Sequence, residues 1–349
     1  MMESGILPKK MRAVLLTGRM DLELREVSVP ELPPGGALIK VLCIGLCGSD
    51  INRIRFTSSN ENRILGHEIV GEIVAVEDNV QQFIIGDRVA IAHVHIPCGH
   101  CPYCKHGSPA MCPQFKNSHI TPGGFTEYIA ITNDHLAHTV LKIPDQVSSE
   151  AATFIDPLGC CMRAAHSSGI HAFDKSVIVG AGIMGQLFVM YLAQLNVKTF
   201  IVDVSDHRLQ IARSFGAGFI LNPTNIDVEE FILKETEYQG ADSVFLTYID
   251  QEIISQAMQY SRDGAHLCVF APPINDKYLS LDYYSFFRRE MKMYASYSSN
   301  FDELEDSLSW IGSKKIDVES LISSTVKFDE LADAIINLTD KDLKIIVKP

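Results

Sequence analysis

Four cysteines in the string PCGHCPYCKHGSPAMCP, namely Cys98, Cys101, Cys104 and Cys112, follow a C-x2-C-x2-C-x7-C spacing. Thiolates three residues apart within a turn converge on one point, and a tetrahedral zinc about 2.3 Å from each sulfur satisfies that geometry. Because all four positions are cysteine, the site is closed, and its role is structural. An iron–sulfur run shares the first three cysteines and the proline after the fourth, but its fourth spacing is three residues, not seven. Disulfides are disfavoured, since three cysteines this close cannot all pair without strain. His100 and His106 read as solvated loop residues beside the knuckle.

A second set of donors is spread over three short strings, LCGSD (46–50), LGHEIVG (65–71) and FIDPLGC (154–160). Cys47, His67, Glu68 and Asp156 supply soft, borderline and hard ligands, the mixture expected where zinc keeps one position open for substrate. Spacing this wide is not diagnostic. Taken singly, Cys47 is also a small buried hydrophobe, His67 a core histidine, and Asp156 a helix N-cap.

The segment SVIVGAGIMGQL places Gly180, Gly182 and Gly185 in G-x-G-x-x-G spacing, directly after an apolar strand and before an apolar helix. Such glycines permit a tight turn and let a pyrophosphate approach the backbone at the helix N-terminus. About twenty residues on, Asp203 ends the next strand, where a carboxylate accepts hydrogen bonds from the adenosine ribose hydroxyls. An acid there repels a 2′-phosphate, so NAD is expected rather than NADP. The alternative is that Asp203 only caps the following turn. Arg208, one helical turn later, is a candidate ribose contact or a solvated side chain.

These residues need a frame. The first 150 residues read as β-rich, with short segments at 13–16, 37–46, 69–76 and 127–131 separated by Pro/Gly turns. From about residue 175, strands alternate with helices, the pattern of a doubly wound parallel α/β sheet. A helix over 205–215 is expected, with Ser205 as N-cap and Gly216 as the stop. The stretches FDELEDSLSWIG and FDELADAIINL read as amphipathic helices, and LKIIVKP as a final strand; periodicity does not assign them to either domain.

At 349 residues two domains are expected. A formal charge of -13 argues against a nucleic-acid partner. Residues 176–197 carry no charge and are long enough to cross a bilayer, but a spanning helix does not explain their glycine spacing, so no membrane partner is expected. Nothing near the N-terminus resembles a secretory signal, and a cytoplasmic location is the default. Of nine cysteines, five fall at metal-ligand positions; Cys43, Cys160, Cys161 and Cys268 read as core.

With Cys-Gly-Ser-Asp, Gly-His-Glu-x-x-Gly, Gly-Asp-Arg-Val (86–89), the four-cysteine lobe, Gly-Gly-Phe-x-Glu-Tyr (123–128) and the nucleotide fingerprint in this order, the chain resembles the zinc-containing medium-chain dehydrogenases. The similarity runs from Met11 onward and is greatest to the branch of sorbitol, threonine and related polyol dehydrogenases. It implies a mainly β, GroES-like catalytic domain formed by 1–155 and 293–349 around a Rossmann NAD-binding domain at 156–292. It further implies that Cys47, His67 and Asp156 are catalytic zinc ligands and that Glu68 binds the zinc or exchanges with water. Ser49 then stands at the position that passes the substrate proton. The expected activity is interconversion of a secondary alcohol of a polyol or sugar-like substrate and its ketone, with NAD and two zinc ions per chain, in a homodimer or homotetramer. Three residues depart from the family pattern. Glu77 replaces a small residue, and Asp156 replaces the glutamate usual in the polyol branch. Asn52 replaces a histidine of the proton relay, and an amide cannot act as a base near neutral pH. Asp156 raises the alternative of a simpler aliphatic secondary alcohol, and Asn52 that of a catalytically impaired NAD-binding homologue.

Overall fold

The computed structural model describes residues 7–56, 62–92, 94–272 and 278–349. The chain forms two compact units, Met1–Asp156 with Leu304–Pro349, and Pro157–Glu303.

The first unit is built on a seven-stranded sheet ordered Ile322–Lys327, Lys344–Lys348, Ala37–Gly45, Glu68–Val76, Arg88–Ile91, Val140–Lys142, with Tyr128–Ile131 also pairing to Ala37–Gly45. A separate antiparallel ribbon joins Lys10–Gly18 to Asp21–Ser28. Alternation of apolar residues along these strands puts Ile39, Val41, Ile69, Ile73, Val89, Ile91, Ile129 and Val347 into one core. The strand at 344–348 lies next to 37–45, with Ile346 opposite Gly45, and on the other side of 37–45 Gly45 is opposite Glu68. Three stretches far apart in sequence therefore meet at one glycine.

The second unit holds a six-stranded parallel sheet in the order Phe219–Leu221, Lys198–Val202, Lys175–Val179, Ala241–Leu246, Ser261–Val269, Lys292–Ala295. In chain order this is 3-2-1-4-5-6, the doubly wound arrangement whose ligand crevice opens where the order reverses, at the C-terminal ends of the first and fourth strands. Those strands are apolar almost throughout because both faces are covered, with Val177, Phe200, Val244 and Leu267 fully buried. The uncharged stretch 176–197 is divided into the strand Lys175–Val179 and the helix Ile183–Gln194, and among the described residues no helix is long and apolar enough to cross a membrane. The helix Asp206–Ser214 starts at the Ser205 cap and stops before Gly216 at φ +99°. The break between units lies at 303/304 rather than at 293, because Lys292–Ala295 hydrogen-bonds alongside Ser261–Val269 as the last strand of the parallel sheet.

Within the second unit, Glu303 lies 3.6 Å from His166 Nδ1 and accepts the Asn300 N–H at 3.0 Å. Burial alone would raise its pKa, but His166 and the backbone N–H outweigh burial and hold the carboxyl below its ordinary value. A depressed carboxylate pKa contributes stability that is complete above the unfolded value and is lost as the pH falls through the folded one. Glu303→Gln is therefore expected to flatten the acid limb of the unfolding midpoint followed from about pH 7 to about pH 3.

Candidate functional site

Cys47 follows the strand Ala37–Gly45, and its carbonyl accepts the Asp50 and Ile51 N–H groups, so the thiol sits at the entry to the helix Gly48–Phe56. His67 and Glu68 enter from the turn that opens the strand Glu68–Val76. The ligand atoms of Cys47, His67 and Glu68 all lie within 4.8 Å of one another. Ser49 donates to Cys47 Sγ at 3.3 Å from an exposed position. Asp156 is not part of this group; it is half-buried in the first turn of the helix Ile155–Ser167. The structure thus brings three of the four candidate ligands together, a thiolate, an imidazole and a carboxylate, which is the donor mixture of catalytic zinc sites.

Two residues that sequence reasoning passed over fix this group. Asp50 is buried, with Oδ2 3.4 Å from His67 Nδ1, while Oδ1 accepts the Gly66 N–H at 3.4 Å. Among the described residues Oδ2 has no hydrogen-bond partner of standard geometry. Burial opposes charging His67, yet the nearby Asp50 and Cys47 raise its pKa well above the ordinary value. The pocket therefore favours a positive charge, as expected for a cation site, and with Nδ1 turned to Asp50 the ring offers Nε2 to the group. Asp50 was visible in Cys-Gly-Ser-Asp, and a carboxylate three residues from a ligand was the signal. Asp50→Asn is expected to weaken metal binding by about 10–100-fold, read by competition with a chromophoric chelator.

The second is Lys344. Its ammonium makes a direct ion pair with Glu68 Oε2, and both side chains are only 1% exposed. Lys344 Nζ also stands 5.3 Å from the centre of the Phe154 ring. Gly45 makes this pair possible: a Cβ there would collide with Glu68 Oε2 and come within 2.9 Å of Lys344 Nζ.

The four-cysteine lobe also converges. Cys101 and Cys104 sulfurs are 3.5 Å apart and Cys98 and Cys104 4.0 Å, bracketing the roughly 3.8 Å edge of a zinc–sulfur tetrahedron. All nine cysteines are free thiols. Backbone N–H groups point at the sulfurs, from Cys98 to Cys112 and from Cys101 to Cys98. Although burial opposes it, the N–H groups of Cys98, Phe115 and Gln114 bring the Cys112 thiol down to about 6, whereas burial and the bond to Cys101 push Cys104 up to about 12. Four thiolates this close need a cation to coexist.

In the second unit, Gly180 has φ +98°, and a Cβ there would lie 2.5 Å from Thr247 Oγ1. A Cβ on Gly185 would collide with the Gly180 carbonyl, so the turn packs against its own helix. Gly182 differs: a Cβ there meets nothing within 4 Å, leaving open space over the N-terminus of Ile183–Gln194. Asp203 accepts the Ala181 N–H at 2.6 Å and the Ser205 N–H at 2.8 Å, so its carboxylate both holds the glycine turn and braces the following one. Gln186, fully buried and missed by the sequence reading, donates to the Ala181 and Arg208 carbonyls at 2.8 and 2.9 Å. It ties the glycine turn to the helix that carries the half-buried Arg208.

Comparison with known proteins agrees with this geometry. Residues 33–145 match the family model for the Alcohol dehydrogenase GroES-like domain, and 184–313 that for Zinc-binding dehydrogenase. The chain is 28% identical to sorbitol dehydrogenase of Bacillus subtilis (strain 168), over 98% of each chain. It is 32% identical to erythritol/L-threitol dehydrogenase of Mycolicibacterium smegmatis, over 68% of this chain and 70% of that one. Among solved structures, one described as a zinc-binding dehydrogenase from Sinorhizobium meliloti 1021, bound to NADP, superimposes with a TM-score of 0.88 at 25% identity, covering 98% of this chain and all of that one. The folds of both units and the relatives they share place this chain in the zinc-type medium-chain dehydrogenase family, in its polyol branch.

Proposed function

We propose that this protein is a zinc- and NAD-dependent dehydrogenase that interconverts a secondary alcohol of a polyol or sugar-like substrate and its ketone. The observation that carries the reading is the convergence of Cys47, His67 and Glu68 within 4.8 Å beside the exposed Ser49 hydroxyl. Bound zinc supplies a Lewis acid for the substrate oxygen. Asp50 orients His67, and Lys344 balances the Glu68 charge. Bound NAD would supply the hydride acceptor, and the Ser49 hydroxyl is placed to take the substrate's hydroxyl proton and hand it to water. Asn52, exposed on the same helix, cannot hold that proton.

The polyol is preferred to a simpler aliphatic alcohol because relatives that match over most of the chain are named as sorbitol and erythritol/L-threitol dehydrogenases. Asp203 supports NAD, because a carboxylate pinned by two backbone N–H groups cannot swing away from a 2′-phosphate. A preference for NAD over NADP on the order of 100-fold in kcat/KM is expected from that like-charge contact. The test is metal analysis followed by NADH absorbance on a panel of polyols. About two zinc ions per chain with turnover, lost in Cys47→Ala, supports the reading. No oxidation of any secondary alcohol at full zinc content overturns it.

A further inference from the structure

In the second unit the glycine turn belongs to a closed ring of hydrogen bonds that runs through one buried amide. Gln186 ends the first turn of the helix Ile183–Gln194, in a buried stretch that is otherwise apolar as far as Tyr191. Both hydrogens of its Nε2 go to backbone carbonyls, of Ala181 at 2.8 Å and of Arg208 at 2.9 Å. Ala181 gives its N–H to Asp203 Oδ2 at 2.6 Å, and Asp203 Oδ1 accepts the Ser205 N–H at 2.8 Å. Ser205 Oγ accepts the Arg208 N–H at 3.4 Å, which closes the ring. Ala181 is thus held from both sides, by a carboxylate at its N–H and by an amide at its carbonyl. Two acceptors in front of Nε2 fix the orientation of the amide, and its Oε1 then has no hydrogen-bond partner among the described residues. A buried acceptor left unpaired costs stability, and an apolar side chain of similar volume would avoid that cost. Stability alone therefore does not account for a glutamine at this position.

We propose that Gln186 is a positioning residue for the dinucleotide, holding the glycine turn and the start of the helix Asp206–Ser214 at a fixed separation so that Asp203 meets the adenosine ribose in one orientation. The proposal rests on the NAD reading above and deepens it. Because both donors of the amide go to protein carbonyls, Gln186 acts through Ala181 and Arg208. The glycine turn receives the pyrophosphate and the carboxylate receives the ribose hydroxyls, so the ring sets the distance between those two contacts. A carboxylate fixed in this way also keeps its charge where a 2′-phosphate would have to sit, whereas a loosened one turns aside from it. Affinity for NAD and discrimination against NADP both pass through this one amide.

The experiment titrates the wild-type chain, Gln186→Met and Gln186→Asn with NADH and with NADPH, followed by nucleotide fluorescence, and measures the urea midpoint of each. Methionine keeps the volume and removes both donors; asparagine keeps the amide but is one methylene too short to reach both carbonyls. Gln186→Met is expected to be at least as stable as wild-type, to bind NADH about tenfold more weakly and to bind NADPH no more than about threefold more weakly. In turnover, KM for NAD is expected to rise with the NADH Kd while kcat stays within about twofold. Gln186→Asn is expected to fall between the two chains, and it decides the matter if the methionine variant does not fold. An NADH Kd within about twofold of wild-type, or a weakening that comes only with a lower urea midpoint, overturns the proposal. So does equal loss for both nucleotides in a chain whose wild-type form prefers NADH. A wild-type chain that binds NADPH as tightly as NADH removes the NAD reading by itself, and Gln186 then keeps its role only if both nucleotides lose about tenfold at an unchanged midpoint. Binding of neither nucleotide removes both.

Discussion

Replacing Lys344 by methionine is expected to destabilise the first unit by about 3–5 kcal/mol, the cost of stranding a buried carboxylate without its partner. Methionine fills nearly the volume of the lysine stem, so lost packing is a minor part. What remains is Glu68, 1% exposed, with its counter-charge removed. Two controls separate this account from a general fault in the strand Lys344–Lys348. The double variant Glu68→Gln with Lys344→Met removes both charges and is expected to recover more than half of the loss, since a neutral amide is far cheaper to bury than an ion. Zinc is expected to narrow the difference as well, because a dication beside Cys47 and His67 attracts the freed carboxylate. The readout is the urea midpoint of wild-type, single and double variants, each with metal and after chelation. A single variant as stable as wild-type when stripped of metal would contradict the buried-pair argument.

The second large effect is expected at the four-cysteine lobe. Between Cys98 and Asn117 only Ala110, Cys112 and Phe115 are buried core, with Cys98, Cys101 and Cys104 packed around them. Three buried side chains cannot offset the entropy of ordering twenty residues. A structural zinc contributes on the order of 10 kcal/mol in small domains of this kind. Cys98→Ser is therefore expected to lose one of two zinc equivalents and to open the lobe to protease cleavage at least 100-fold faster, reflecting local unfolding worth several kcal/mol. Cofactor binding by the second unit, measured by NADH fluorescence, should persist. Unchanged zinc content and protease resistance would show that the lobe holds itself together without metal.

How much of this was legible in the sequence follows the distance over which each feature acts. The cysteine lobe spans fifteen residues, and its spacing already encodes the convergence seen between Cys98, Cys101, Cys104 and Cys112. The glycine turn is equally local, and the strand and helix around Gly180, Gly182 and Gly185 lie where the apolar pattern put them. Asp203 braces both the glycine turn and the turn that follows its own strand, so its capping reading is visible in the backbone bonds it accepts. Asp156 is not gathered into the Cys47, His67, Glu68 group, so its place as a ligand rests on resemblance alone. Lys344 left no signal at all. It comes 276 residues after Glu68, and only the pairing of 344–348 with 37–45, and of 37–45 with 68–76, brings the two together. The division at 303/304 is of the same kind, since strand pairing and not a local motif puts Lys292–Ala295 into the parallel sheet, where resemblance had suggested 293.

That late strand gives the chain a timetable. Synthesis produces the sheet strands 37–45 and 68–76 first, then the whole of 157–303, and only afterwards the segment 344–348 that lies against Gly45. The second unit, continuous in sequence, can fold while it emerges from the ribosome. The first unit must wait with Ile44 and Ile69 exposed and Glu68 solvated, because the lysine that makes its burial tolerable has not yet been made. The Cys47, His67, Glu68 cluster is thus assembled last, after the Rossmann-type fold is in place, and a ribosome stalled before residue 344 would carry a folded second unit and an unfinished first one.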